Sequence, residues 1–594
     1  MSPATERLFA PHKSTERPLS FTSGLGMPGL LLPAFYVGVV IFLCWPLVTQ
    51  IDTHFGGVTE FNSDRQLSAW AMAWSSQALV TDPLGIANAN IYYPSLSSLF
   101  YGQIGFGALI YFSPVFWLTG NPVLALNVTL IAGLACTAWL FHVVVRDWTG
   151  SNWAGLLAGF AFLSNRYVFG YIPTAPHLAA LQFFPLIAWL TARHLKSLRG
   201  TLLLSLLIAL QCMTEPVYVA PGVVACVGTL AGLRFLHSES RAAGLRLLAA
   251  LVLGIVLVVP IYLGYAGVVS SQVDLRAQTI WNHPFVVVQS ISTVVGQKGA
   301  NSMALVIFIL LGFALVSLLA RRGQSPGRPV TEAPFIGPPQ LSVWIAAGVW
   351  FVVGSLVSVG PEFALGETVI STPLHYLGQL VPPLKTIRLP ARAAYAALCG
   401  ATLLAGLAFG ELEWRLRRLS RGRVPSWAMG VTRGAAVLWL ATGLYFDAGD
   451  TNTPPMAWRL SSAPRPSAAV IEAVRSEPGP LLDLPLEPGE RRLWPFWQAP
   501  AMFRSIDHGQ PILNGYNSYY PVDFPERMAL ADQLPDPAAL AALVAETGLE
   551  WIALQPKSLP PQKYAAWTEA LASDPPTFRL VINENGRWLL KVLR

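Results

Sequence analysis

Asp64, in the run Asn62-Ser63-Asp64-Arg65, is the residue best placed to do chemistry in this chain. It belongs to a stretch, residues 49 to 103, that holds Asp52, Glu60, Asp64 and Asp82 against one base, Arg65. The stretch is rich in Trp, Tyr, Asn and Pro, which suit a membrane–water boundary. From Gln66 to Val80 the apolar residues Leu67, Trp70, Trp74 and Leu79 recur at helical spacing, as in a helix lying flat on a bilayer. A carboxylate at the head of such a helix can serve as a general base at the mouth of a membrane cavity. It can equally cap the helix, because free backbone N–H groups and the dipole favour acceptors there.

Further polar residues fall on the same side. They are Asp82, Asn90 and Tyr92 in the first loop, His177, Glu215, and the loop 360–392 with Glu362, Glu367, His375, Lys385, Arg388 and Arg392. Each has a structural alternative. His177 follows Pro173 and Pro176 and can face water in a turn; Glu215 precedes Pro216 and can cap the next helix; the three bases can snorkel. Yet bases at this density oppose the charge rule for an outer face, and ionisable groups at a membrane mouth are functional candidates by default.

The elements that must position these residues are membrane helices. A chain of 594 residues that is 53% hydrophobic and 12% charged, with mean hydropathy +0.49, is not a soluble protein. The net charge of +7 suggests nucleic acid only until its distribution is read. The bases cluster in short turns between apolar runs, as the positive-inside rule expects, and no basic domain exists, so no nucleic-acid partner is expected. Cys44, Cys136, Cys212, Cys226 and Cys399 lie inside apolar segments without CxxC spacing and read as small core residues. No tight cluster of metal ligands is evident, so neither a metal nor another cofactor is expected.

The fold class expected is an α-helical polytopic membrane protein with a C-terminal soluble α/β domain. Residues 1–27 form a cytoplasmic tail, 28–446 a multi-span domain whose first loop, 49–121, is extracytoplasmic, and 447–594 an extracytoplasmic domain. Spans are expected near 28–48, 122–145, 153–170, 178–192, 201–213, 216–235, 247–269, 303–320, 340–359, 393–410 and 427–446, about eleven in all by length and charge parity. The apolar run 104–119 is short and contains Pro114. Counting it as a span would put the Arg193 to Arg199 and Arg415 to Arg423 clusters outside, so it reads as re-entrant or interfacial. This places the protein in the cytoplasmic membrane as a multi-pass protein.

Beyond residue 447, after an extended Pro-rich link over 447–466, the signals are those of a small folded unit. Ser467 to Ser476 and Pro537 to Thr547 read as helices, the second closed by Gly548. Pro480 to Leu486 and Leu549 to Gln555 read as strands, and 578–582 with 587–593 as a hairpin about Asn585-Gly586. Tyr516, Tyr519 and Tyr520 beside Asn514 and Asn517 can stack on sugar or pack as an ordinary loop.

An acid beside an interfacial helix, opposed by Arg and Lys, suits one chemistry well. A lipid-linked sugar phosphate lies at the interface with its tail in lipid. Guanidinium forks can hold the phosphate while a carboxylate takes the proton from the attacking acceptor. With these residues in view, the chain resembles the C-type membrane glycosyltransferases (GT-C fold), among them aminoarabinose and protein mannosyl transferases. The resemblance is carried by Asn62-Ser63-Asp64, Trp70, Trp74, Asp82-Pro83 and Asn90-Ile91-Tyr92-Tyr93-Pro94. It extends to Asn121-Pro122, Ala158-Gly159-Phe160-Ala161-Phe162, His177, Arg388-Leu389-Pro390-Ala391-Arg392 and Ser505 to Pro521, as in uncharacterised bacterial members.

The resemblance implies inverting transfer of a sugar from a polyprenyl-phosphate donor to a glycan, lipid or protein acceptor. Asp64 would activate the acceptor, and Lys385, Arg388 and Arg392 would bind the donor phosphate. Asp82, Asn90, Tyr92, His177 and Glu215 are further candidates. Many relatives carry a second acid after the first, where this chain has Arg65; Asp82 is a candidate replacement. Two other readings stay open, a glycolipid transporter using the same cavity and a non-catalytic envelope-assembly protein.

Overall fold

The computed structural model describes residues 31–57, 62–102, 104–165, 168, 172–193, 195–216, 219–271, 339–365, 368–380, 394–419, 458–574 and 576–593, with 312, 430–431 and 433–434. The first helix, α1, is Leu31–Leu43, and strand β1 is His54–Gly57. Then come α2 (Ser63–Thr81), α3 (Leu109–Thr119), α4 (Pro122–Thr149), α5 (Asn152–Leu163), α6 (Phe183–Ala192), α7 (Leu198–Thr214), α8 (Val219–Phe235) and α9 (Arg241–Ser271). Helix α10 (Leu341–Ser358) leads to the hairpin β2 (Glu362–Leu365) and β3 (Thr368–Ser371), helix α11 (Pro373–Leu380) and helix α12 (Tyr395–Leu419).

The helix ends follow their local chemistry. Asn121 accepts from the N–H groups of Val123 (2.9 Å) and Leu124 (3.2 Å), Pro122 opens the helix, and Gly150 in the left-handed conformation closes it. Pro122–Thr149, Arg241–Val268, Leu341–Ser358 and Tyr395–Arg417 are long and apolar enough to cross a membrane. Shorter apolar helices lie at Leu31–Leu43, Asn152–Leu163, Pro176–Ala192, Leu198–Thr214 and Val219–Phe235. The chain is a mostly helical multi-pass membrane protein. The expected spans at 303–320 and 427–446 lie outside the described residues, isolated positions aside.

Helix α10 packs on α12, α5 on α4 and α12, and α9 on α7 and α8. Small residues set the closest approach: a Cβ on Gly354 would lie 2.4 Å from the Ala397 nitrogen, and one on Gly400 2.1 Å from the Phe351 nitrogen. Side chains there would force α10 and α12 apart, the usual reason for small residues where helices meet in lipid.

The C-terminal part opens with β4 (Arg459–Ser462) and α13 (Ala468–Ser476), followed by β5 (Leu481–Leu484), α14 (Pro495–His508), α15 (Phe524–Gln533) and α16 (Pro537–Thr547). It ends with β6 (Trp551–Leu554), α17 (Pro561–Leu571), β7 (Phe578–Glu584) and β8 (Arg587–Val592). The sheet order is β5-β6-β8-β7, with β5 parallel to β6 and the other pairs antiparallel. Asn585 and Gly586 take φ 53° and 72°, the turn that an Asn-Gly pair favours.

Two backbone seams join this part to the first loop. Strand β1 pairs antiparallel with β4, with His54 opposite Ser462. Segment 90–93 runs along 512–514: Ile512 N–H donates to Asn90 (2.8 Å), Tyr93 N–H to Ile512 (3.0 Å) and Tyr92 N–H to Asn514 (3.0 Å). On its other side Leu513 N–H donates to Leu481 of β5 (2.9 Å). The first loop thus extends the C-terminal sheet by one irregular strand.

Helix α2 corrects one expectation. It does not lie flat against lipid along one face. It is buried on nearly every side, between α14 and helices α3 and α4. Its tryptophans hold the loop that follows: Trp70 Nε1 donates to Asn90 Oδ1 (3.0 Å) and Trp74 Nε1 to Ile86 O (2.9 Å). The periodicity that signals an interfacial helix also signals a helix covered by a second part of the same chain.

Candidate active site around Asp64

Asp64 sits in the first turn of α2, half-buried. Asn62 occupies the cap position without a side-chain cap bond. The Tyr516 hydroxyl, from the C-terminal part, donates to Asp64 Oδ1 at 3.4 Å, the long limit of such a bond. The carboxylate therefore stands where the membrane helices, the first loop and the C-terminal part meet.

Arg65 is buried, at 1% exposure; its Nε donates to Pro173 O (2.9 Å) and its Nη1 donates to Asn62 Oδ1. A Cβ on Gly57 would lie 2.0 Å from Nη2, so only glycine leaves room for the guanidinium. Burial lowers the Arg65 pKa to about 10, against the attraction of Asp64, which leaves it a cation at neutral pH. Next to the Asp64 carboxylate in sequence the chain thus holds a buried cation.

His177 and Glu215 come together behind Asp64, and Glu215 also caps the next helix through its carbonyl, which accepts from the N–H groups of Val219 (3.0 Å) and Ala220 (3.3 Å). His177 is 1% exposed, on a 3₁₀ turn at Pro176–Ala179, and does not face water. Glu215 is equally buried, and its side chain meets His177 Nε2 at 3.1 Å through Oε2. The other ring nitrogen, Nδ1, is 3.2 Å from Ser68 Oγ, which in turn donates to Asp64 O at 2.8 Å. Gly105, at φ 61°, lets the loop pass close by: a Cβ there would meet His177 Cβ at 2.8 Å.

Three other candidates are placed elsewhere. Asp82 is exposed at the far end of α2, roughly 27 Å from Asp64 along the helix axis, and accepts from Gly85 N–H (3.0 Å). It is not a partner for Asp64, because the helix that carries both acids keeps them apart. Asn90 is spent on Trp70 and on Gln510 O (3.1 Å), and the Tyr92 hydroxyl on Tyr519 O (3.2 Å); both hold the seam. Lys385, Arg388 and Arg392 lie outside the described residues. Of the Tyr-Asn run, Asn514 is occupied by Asp483 and Gln498. Among the described residues, no three of His, Cys, Asp and Glu gather as a metal site would need.

Ser68 and the Arg65 clamp are not legible in the sequence. Ser68 is one of many serines, and its histidine partner lies far along the chain. The i, i+3 spacing of Arg65 and Ser68 on one helix face is the only sequence signal for them.

No protein-family model and no curated protein sequence matches the chain. Two solved structures are similar to it. The arabinofuranosyltransferase AftD from Mycobacteria superposes with TM-score 0.52 at 14% identity, over 95% of this chain and 40% of AftD. The oligosaccharyltransferase AglB from Archaeoglobus fulgidus, in complex with an inhibitory peptide and a dolichol-phosphate, gives TM-score 0.46 at 9% identity, over 89% of this chain and 69% of AglB. This chain spans less than half the length of AftD. Both neighbours are GT-C membrane glycosyltransferases, and the likeness to AftD is one of fold. At the level of class, the chain is a mostly helical multi-pass membrane protein whose fold is similar to that of AftD.

Proposed function

We propose that this protein is a membrane glycosyltransferase that moves a sugar from a polyprenyl-phosphate donor to an acceptor at the outer face of the cytoplasmic membrane. The observation that carries the reading is Asp64: a half-buried carboxylate in the first turn of a buried helix, placed where three parts of the chain converge in a GT-C-like fold. In this reading Asp64 takes the proton from the attacking hydroxyl or amine as the new glycosidic bond forms and the lipid phosphate leaves. Arg388 and Arg392, with Lys385, hold that phosphate, and guanidinium forks suit its oxygens. The C-terminal part, joined to the first loop along two seams, forms the acceptor side through the Tyr516 loop. The sheet, the seams and Asp64 all lie on one side, which the reading makes extracytoplasmic.

The test is turnover and binding of a synthetic polyprenyl-phosphate hexose by the purified full chain. Asp64→Asn keeps size and hydrogen bonding but removes the base, so turnover falls roughly 100-fold or more while donor binding holds. Arg388→Ala and Arg392→Ala weaken donor binding, and Arg→Lys recovers part of it. Wild-type turnover in Asp64→Asn would refute the reading.

A further inference from the structure

The contacts behind Asp64 form one line. Ser68 Oγ donates to Asp64 O at 2.8 Å. The same hydroxyl meets His177 Nδ1 at 3.2 Å, and the other ring nitrogen, Nε2, meets Glu215 Oε2 at 3.1 Å. Which ring nitrogen donates is set by the tautomer, and in either case the imidazole bridges Ser68 and Glu215 and closes the line.

Its far end is the main-chain oxygen of Asp64, not the carboxylate. The chain therefore cannot carry a proton away from the reaction, but it can fix the turn that carries the base. It is anchored at the outer end of α7 through Glu215 and on the 3₁₀ turn through His177. The Arg65 bond to Pro173 grips the same region from the same face of α2.

We propose that Ser68, His177 and Glu215 are positioning residues that hold the first turn of α2, and with it the Asp64 carboxylate, in its working place. The proposal rests on the glycosyltransferase reading of Asp64. Where the line is broken the first turn of α2, and Asp64 with it, can shift, and small misplacements of a reacting group are costly.

Four variants of the full chain test this in turnover of the polyprenyl-phosphate hexose, with donor binding measured alongside. Ser68→Ala and His177→Phe should lower turnover roughly ten- to a hundredfold with donor binding held. Glu215→Gln is the discriminating variant. Its amide donates to Nε2 while a neutral His177 donates from Nδ1 to Ser68, so the line stays closed. Turnover should fall no more than about threefold, within the scatter of one modest hydrogen bond, with donor binding held. Rescue by the conservative variant is the readout that mere loss of packing at the pair would not give. Asp64→Asn is the fourth arm. If it is inactive while Ser68→Ala and His177→Phe run at wild-type rate, the positioning proposal fails alone. It fails equally if Glu215→Gln is as impaired as His177→Phe. If Asp64→Asn turns over normally, the glycosyltransferase reading fails and this falls with it. Ser68→Ala removes one hydroxyl, so it decides the matter should His177→Phe not fold.

Discussion

Two clusters in this protein use the same chemical groups to opposite ends. In the C-terminal part Asp483 is 5% exposed and both its oxygens are taken: Arg504 Nε donates at 2.7 Å and Arg587 at 3.2 Å. Its backbone N–H and carbonyl are held by Asn514 at 2.7 and 3.1 Å. Around Asp64 an acid and an arginine are adjacent in sequence, but the guanidinium bonds to Pro173 and Asn62, while the half-buried carboxylate meets Tyr516 at the long limit of a hydrogen bond. A saturated, buried carboxylate is a strut. One that stays partly exposed can reach a substrate.

The contrast breaks most visibly at Asp483. Asp483→Ala leaves Arg504 buried without its counter-charge and should destabilise the C-terminal part by about 3–5 kcal/mol, the scale for stranding one partner of a buried pair. Thermal unfolding and limited proteolysis would show it. Asp64→Asn should reverse the pattern, with turnover down roughly 100-fold and the melting temperature almost unchanged. Asp82→Asn, on the same helix but exposed, should alter neither, with stability within about 0.5 kcal/mol.

Acid should separate the clusters next. Burial lowers the His508 pKa to about 4, and its Nδ1 accepts from Gln510 N–H at 3.1 Å, so the folded state holds it neutral. Burial acts upward on Asp483, but the Arg504 and Arg587 guanidiniums outweigh it and hold its carboxyl below the usual range. For both groups the unfolded chain binds the proton more readily, so stability is lost as pH falls. For His508 the loss runs from the ordinary histidine range near 6.5 down to about 4. Melting temperatures across that window should drop in the wild type and drop less in His508→Gln.

The smallest effect sharpens the site itself. Tyr516→Phe removes one long bond to Asp64, on the order of 0.5–1.5 kcal/mol for an ordinary hydrogen bond and toward the low end at 3.4 Å. Turnover should fall by a few-fold, with stability held.

Much of the C-terminal part is legible in the sequence, and for local reasons. The helix at Pro537–Thr547 with its Gly548 stop, the strand at β5 and the hairpin about Asn585-Gly586 all follow from signals a few residues long. Helix α14 escapes such reading, since Pro495 and Pro500 break its pattern and its buried Gln498 and Arg504 resemble surface residues. Strands β1 and β4 escape it because each is four residues long and finds its strand partner about four hundred positions away.

Around Asp64 the sequence by itself determined the acid, its place at the head of a helix, and His177 and Glu215 as residues needing an explanation. Local periodicity and charge counting reach that far. Only the tertiary structure decided that α2 is covered by α14, that Asp82 is a helix-length away, and that Ser68, His177 and Glu215 form one hydrogen-bonded line. Those facts depend on contacts between residues up to 452 positions apart, as between Asp64 and Tyr516. Hydrogen bonding has no sequence period: a buried donor takes whichever acceptor the packing of helices brings within about 3 Å, and that packing is settled by the whole chain.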